Sequence, residues 1–148
     1  MPQLSYKEII DIFQEATTAH LNVHSFNTGT IDFLDASSQN IKYPYVFLRP
    51  MQSPGLQNMT RTLAFELYCL DVPNLSNESP QQLMSVMEQT LYDIISYFNR
   101  GSYQQDVEIN LSSILPINEA FQDRAYGWMA NIEVITDGKW DYCNFPSA

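Results

Sequence analysis

Ser79-Pro-Gln-Gln-Leu-Met-Ser-Val-Met-Glu-Gln-Thr-Leu-Tyr-Asp-Ile-Ile-Ser-Tyr-Phe-Asn-Arg-Gly101 is the stretch around which the fold is organised. Ser79 suits an N-cap, and Pro80 suits the first turn, where a missing amide hydrogen costs nothing. Leu83, Val86, Met87, Leu91, Ile94, Ile95 and Phe98 recur at spacings of three and four, so they form one apolar stripe. Gln81, Gln82, Ser85, Gln89 and Asp93 fall on the other faces. Arg100 complements the negative end of the helix dipole, and Gly101 can take the left-handed conformation that closes a helix. Such a helix of about 20 residues is roughly 30 Å long. Its stripe needs a broad apolar partner, which the flanking alternating segments supply.

Working outward, residues 62–70 alternate: Leu63, Phe65, Leu67 and Cys69 point one way, and Thr62, Ala64, Glu66 and Tyr68 the other. This is a strand with one face on a core and one half-wet face. Residues 125–136 read as the longest strand, and 106–111 as a shorter one carrying Val107, Ile109 and Leu111. Residues 112–123, with Pro116, read as a loop, and Asp71 to Ser79 as a turn into the helix. Toward the N-terminus, Ser5 and Glu8 have the spacing of a capping box, and Ile9, Ile12, Phe13 and Ala16 line one face of a helix ending near residue 19. A short strand is expected over 30–34, after a turn at 27–29. Residues 41–49 form another strand, with Pro44 at its edge or entrance. Residues 50–60 contain Pro54-Gly55 and two exposed-looking methionines, Met51 and Met59, and read as a mobile loop.

Helix, strands, helix, strands in this order predicts one α+β domain over 1–148. Its sheet is largely antiparallel, with the N-terminal helix and the long central helix packed on one face. An aromatic tail, 139–148, follows the last strand.

Composition limits the function. Seven Lys and Arg stand against 17 Asp and Glu, a formal charge of -10. Specific grip on a phosphate backbone needs clustered cations, and there is no basic run. Charged residues are only 16% of the chain, below the usual ~25%, while Tyr, Met and amide side chains are plentiful, as at protein interfaces. No window reaches the ~18 apolar residues of a membrane span, and the first residues lack a secretion signal, so cytoplasmic synthesis is expected. Without such a signal, the glycosylation-like triplets at Asn58 and Asn77 carry no weight.

The residues supply little chemistry. His20 and His24 are four apart but lack a third ligand. Cys69 sits in an apolar run as a small core residue, and Cys143 has no neighbour that would lower its pKa. Carboxylates such as Asp71 with Glu78, or Asp106 with Glu108, have no spacing that makes them converge. Phosphate loops, nucleophile elbows and paired-cysteine motifs are absent from the sequence. Neither an enzyme nor a cofactor is expected.

The order of elements resembles the tail terminator family of tailed bacteriophages. The match consists of the helix over 5–19, Tyr43-Pro-Tyr-Val-Phe-Leu, residues 62–70, the helix over 80–98, and Asp123-Arg-Ala-Tyr-Gly-Trp leading into a strand over 129–135. The closing Trp140-Asp-Tyr-Cys-Asn-Phe-Pro is similar to endings of virion proteins from phages of Bacteroidetes hosts. The resemblance implies a small structural subunit that assembles in the host cytoplasm into a ring at the head–tail junction of the virion. That ring caps the tail and meets neck proteins. Another connector ring, twelve-fold rather than six-fold, and a non-virion protein-binding module are the alternatives. Tyr68, Met51, Met59, Trp140, Tyr142 and Phe145 are then interface candidates. Asp32, Asp35, Asp71 and Glu78 are candidates for lining a channel through which DNA passes unbound. No membrane partner is expected.

Overall fold

The computed structural model describes residues 4–29, 42–73, 79–99, 107–120 and 124–138. Among the described residues, two helices pack on one face of a six-stranded sheet, in the α+β arrangement that the sequence predicts. The helices are α1 (Tyr6–Ala19) and α2 (Pro80–Ser96), the latter continued by a 3-10 turn over Tyr97–Asn99. The strands are β1 (Ser25–Thr28), β2 (Tyr45–Pro50), β3 (Gly55–Gln57), β4 (Thr60–Asp71), β5 (Val107–Ala120) and β6 (Ala125–Asp137). Their order across the sheet is β1-β2-β4-β6-β5, with β3 paired to β4 beside this path. Among the described strands, only β1 and β2 pair in parallel.

Both helices begin with a complete capping box. Ser5 Oγ accepts from the Glu8 amide while Glu8 accepts from the Ser5 amide, and Ser79 and Gln82 exchange the same pair of bonds. Each box satisfies two amides that a helix start otherwise leaves orphaned. Ile9, Ile12, Phe13 and Ala16 of α1 are buried, as are Leu83, Met87, Leu91 and Ile94 of α2 and Phe98 beyond it. They close over Val46 and Leu48 of β2, Phe65, Leu67 and Cys69 of β4, and Ala130, Ile132 and Val134 of β6. Phe13 joins the layers: its ring lies 4.7 Å from that of Phe98 and 5.7 Å from that of Phe65. Trp128 on β6 donates its indole N–H to the Met84 carbonyl at 2.8 Å, fixing α2 along the sheet.

Three boundaries differ from the sequence reading. A strand over Ser25–Thr28 runs into the expected turn at 27–29, and the strand expected over 30–34 lies outside the described residues. The supposed loop after Pro50 contains β3, which pairs with β4 through a two-residue turn. Asn58 (φ 50°) and Met59 (φ 64°) both take positive φ, as tight hairpins require to match strand twist. Residues 112–120 were expected as a loop and instead continue β5. The strand passes Pro116 with register shifts between Leu111 and Ser113 and between Ile117 and Ala120. The shifts break the alternation that sequence reading relies on, and Pro116 is tolerated because β5 is an edge strand. Pro44 does stand at the entrance to β2, although β2 itself is interior.

β4 and β6 pair over their entire length, from Thr60 with Asp137 to Asp71 with Tyr126. Gly127 is required there: a Cβ at that position would lie 1.8 Å from the Cys69 carbonyl oxygen. That obstacle is backbone, which no rotamer change relieves. Gly127→Ala is therefore expected to destabilise the fold by about 3 kcal/mol or more, read as a lower denaturation midpoint. Unchanged stability would mean that the two strands can separate at this point without loss.

Candidate interaction surface

The face of the sheet opposite the helices divides into two halves. Cross-strand register aligns Phe47, Tyr68, Met129 and Leu115 in one row, with Tyr45, Leu70, Gly127 and Ile117 beside it. Arg49, Glu66, Asn131 and Ser113 make the next row on the other side. The first two rows are apolar, and Tyr45, Phe47, Tyr68, Leu70 and Met129 in them form a buried second core cluster with Val72 and Ala125, against which Ile117 packs. The polar row is internally paired. Arg49 Nη1 donates to Glu66 Oε1 at 3.0 Å, the Tyr68 hydroxyl donates to the same oxygen at 2.9 Å, and Asn131 Nδ2 donates to Ser113 Oγ at 3.0 Å.

Tyr68 was expected on a half-wet face as an interface residue, and this is corrected. It is only 6% exposed, and its ring lies 6.2 Å from that of Phe47. Burial, reinforced by its bond to Glu66, pushes its hydroxyl up to about 12. Asp71 is corrected in the same way. It ends β4 rather than standing in a loop, is 6% exposed, and accepts from the Val72 amide at 2.7 Å. A residue enclosed within its own subunit does not line a channel. Met51 and Met59 are exposed, at 36% and 61%, near the β3–β4 hairpin, where Leu56 is exposed as well. Asp32, Asp35, Glu78, Trp140, Tyr142 and Phe145 lie outside the described residues.

The histidines are structural. His20 Nε2 lies 2.9 Å from Asp93 Oδ2, and its Nδ1 accepts from the Asn22 amide at 3.1 Å. Both ring nitrogens are engaged, so neither is left to receive a substrate proton. His24 instead meets the Tyr43 carbonyl at 2.8 Å. Ala16, Ala19, His20, Asp93, Ser96 and Tyr97 line a shallow cleft of about 250 Å³ between the helix ends. Desolvation would raise the Asp93 carboxyl, but hydrogen bonds from His20 and Gln89 outweigh it and hold the group below its ordinary value. Among the described residues, no three His, Cys, Asp or Glu side chains are grouped to hold a metal. Cys69 is fully enclosed, and burial pushes its thiol up, which leaves it a core residue with little nucleophilic character. No helix among them is long and apolar enough to cross a membrane.

Sequence reading finds the start of the outer strand, over 106–111, and misses its continuation past Ser112. β5 is the last strand of the sheet, and residues 109–118 carry no charge at all. Leu111 and Leu115 on it are 39% and 52% exposed. Apolar residues at 107, 109 and 111, then 114 and 117, were the available signal, obscured by the slip in phase. The chain matches no protein-family model and no curated protein.

Two measurements check these assignments. Tyr68→Ala should destabilise the isolated subunit by about 3 kcal/mol, as truncation of a buried aromatic does, whereas Met59→Ala should change stability by less than about 0.5 kcal/mol. Equal effects in urea unfolding would return Tyr68 to the surface. For Asp93, a lowered folded value means stability that is present above its unfolded value and lost as pH falls through the folded one. Asp93→Asn should be less stable than the parent at neutral pH, and the gap should close on acidification. A pH-independent gap would remove the carboxylate's role.

Proposed function

We propose that this chain is a structural virion protein: a subunit of a ring at the head–tail junction of a tailed phage, capping the tail and joining it to neck proteins. The supporting observation is how the segments carrying the resemblance are arranged. The N-terminal helix, Tyr43-Pro-Tyr-Val-Phe-Leu, residues 62–70 and the long helix become α1, β2, β4 and α2, and Ala125-Tyr-Gly-Trp opens β6. All meet in one layer of helices on one sheet. The charge of -10 suits a wall that DNA passes without binding. Asp32, Asp35 and Glu78 remain the proposed lumen residues, with Trp140, Tyr142 and Phe145 as proposed anchors to neighbouring proteins.

Particles purified through a density gradient, digested and quantified by mass spectrometry, should contain this chain at six or twelve copies each. Its absence from such particles, with abundant protein in the lysate supernatant, would overturn the virion reading in favour of a cytoplasmic protein-binding module. A twelve-fold count would identify another connector ring.

A further inference from the structure

We infer that copies of this chain join head to tail through their sheets, the β5 edge of one pairing antiparallel with the β1 edge of the next. This deepens the ring proposal and rests on it only for closure of the ring.

Three observations carry the inference. First, β5 is an edge strand of unusual character. Proteins that remain alone blunt such edges with charges, above all lysine. Here residues 109–118 have none, and Leu111 and Leu115 are exposed. Second, the strand at the opposite end of the sheet is also uncharged. Residues 25–29 read Ser-Phe-Asn-Thr-Gly, and Leu21, in the connection leading into β1, is 95% exposed. Copies that each carry a charge of -10 repel one another over most of their surface. The uncharged stretch of β5 between Glu108 and Glu119, together with the uncharged β1, lets backbones approach while the carboxylates stay apart.

The third observation is strand sense. β1 runs with β2, and β2 opposes β4. β6 opposes both β4 and β5, so β5 runs with β4 and opposes β1. A second copy set beside the first in the same orientation therefore brings its β1 antiparallel to β5, the sense that forms the more stable ladder. Pro116 lacks an amide hydrogen and interrupts the donor row, but β1 is only four residues long and can pair on one side of that gap. The contact uses different surfaces on the two copies, so it repeats, and it closes when the rotation at each joint divides a full turn.

Lysine on either edge should block the joint. Leu115→Lys and Thr28→Lys are suitable because both positions are exposed, and both changes reduce the net negative charge, so general repulsion cannot explain a loss of assembly. Circular dichroism and melting temperature confirm folding, and Leu111→Lys serves as a second β5 variant. By native mass spectrometry at micromolar concentration, the parent should form a closed ring and each variant a monomer. An equal mixture of Leu115→Lys and Thr28→Lys should stop at a heterodimer, because one intact β5 and one intact β1 remain. In the parent, amides of residues 109–115 should exchange more slowly in the assembly than in diluted monomer. A monomeric parent overturns the inference, as does assembly of either folded variant at the parent's level. Assembly of Thr28→Lys alone, with Leu115→Lys monomeric, would show a two-fold β5–β5 contact instead. A parent ring that is blocked as described but absent from purified particles leaves the joint standing and overturns only its place in the virion.

Discussion

The twelve-pair ladder between β4 and β6 is the constraint on which the rest depends. Side chains alternate along a strand, so a one-residue slip would move Phe65, Leu67 and Cys69 to the wrong face of the sheet. These three receive α1 and α2, and the residues between them, Glu66 and Tyr68, set the character of the other face. Gly127 holds the ladder in place from the opposite strand, because only a hydrogen fits against the Cys69 carbonyl. Trp128, next along β6, ties the ladder to α2 through its bond to Met84. Register, helix position and the division of the outer face thus follow from one pairing.

That pairing leaves a sheet with two unlike faces. The helix side is a continuous apolar core. The far side is apolar near Tyr45, Phe47 and Leu70 and polar from Arg49 onward. The polar half is paired within the sheet, since Glu66 accepts from both Arg49 and Tyr68. Buried polar groups gain by being satisfied and lose heavily when they are not, which makes this network part of the fold. Surface available for recognition is displaced to the periphery of the sheet: the β3–β4 hairpin with Leu56 and Met59, and the outer strand β5.

Elements with strong local signals were legible in the sequence. The first capping box, the N-cap at Ser79, the two helical stripes, and the alternation of β4 and β6 each depend on side chains within one segment. Where the reading failed, the missing information was non-local. The hairpin turn at Asn58 and Met59 uses positive φ in residues other than glycine, so composition does not announce it. β5 passes through a proline and two register shifts that only its pairing with β6 makes acceptable. Tyr68 and Asp71 look like surface residues because tyrosine and aspartate commonly are. The burial of Tyr68 is a property of the sheet's second cluster, assembled from β2, β4 and β6 together, and that of Asp71 comes from its place at the paired end of β4.

The same distinction bears on why the sequence carries so faint a functional signal. A catalytic or metal site needs particular side chains at particular distances, and those leave motifs. A joint made by strand addition relies on backbone amides and carbonyls, which every residue except proline supplies in full. Its sequence requirement is mainly negative: an absence of charge along the open edge, and apolar side chains where a neighbour will exclude water. Residues 109–118 meet that requirement inside a chain whose overall charge is -10, and so do residues 25–29 at the other end of the sheet. A surface of this kind can diverge in nearly every side chain and keep its geometry.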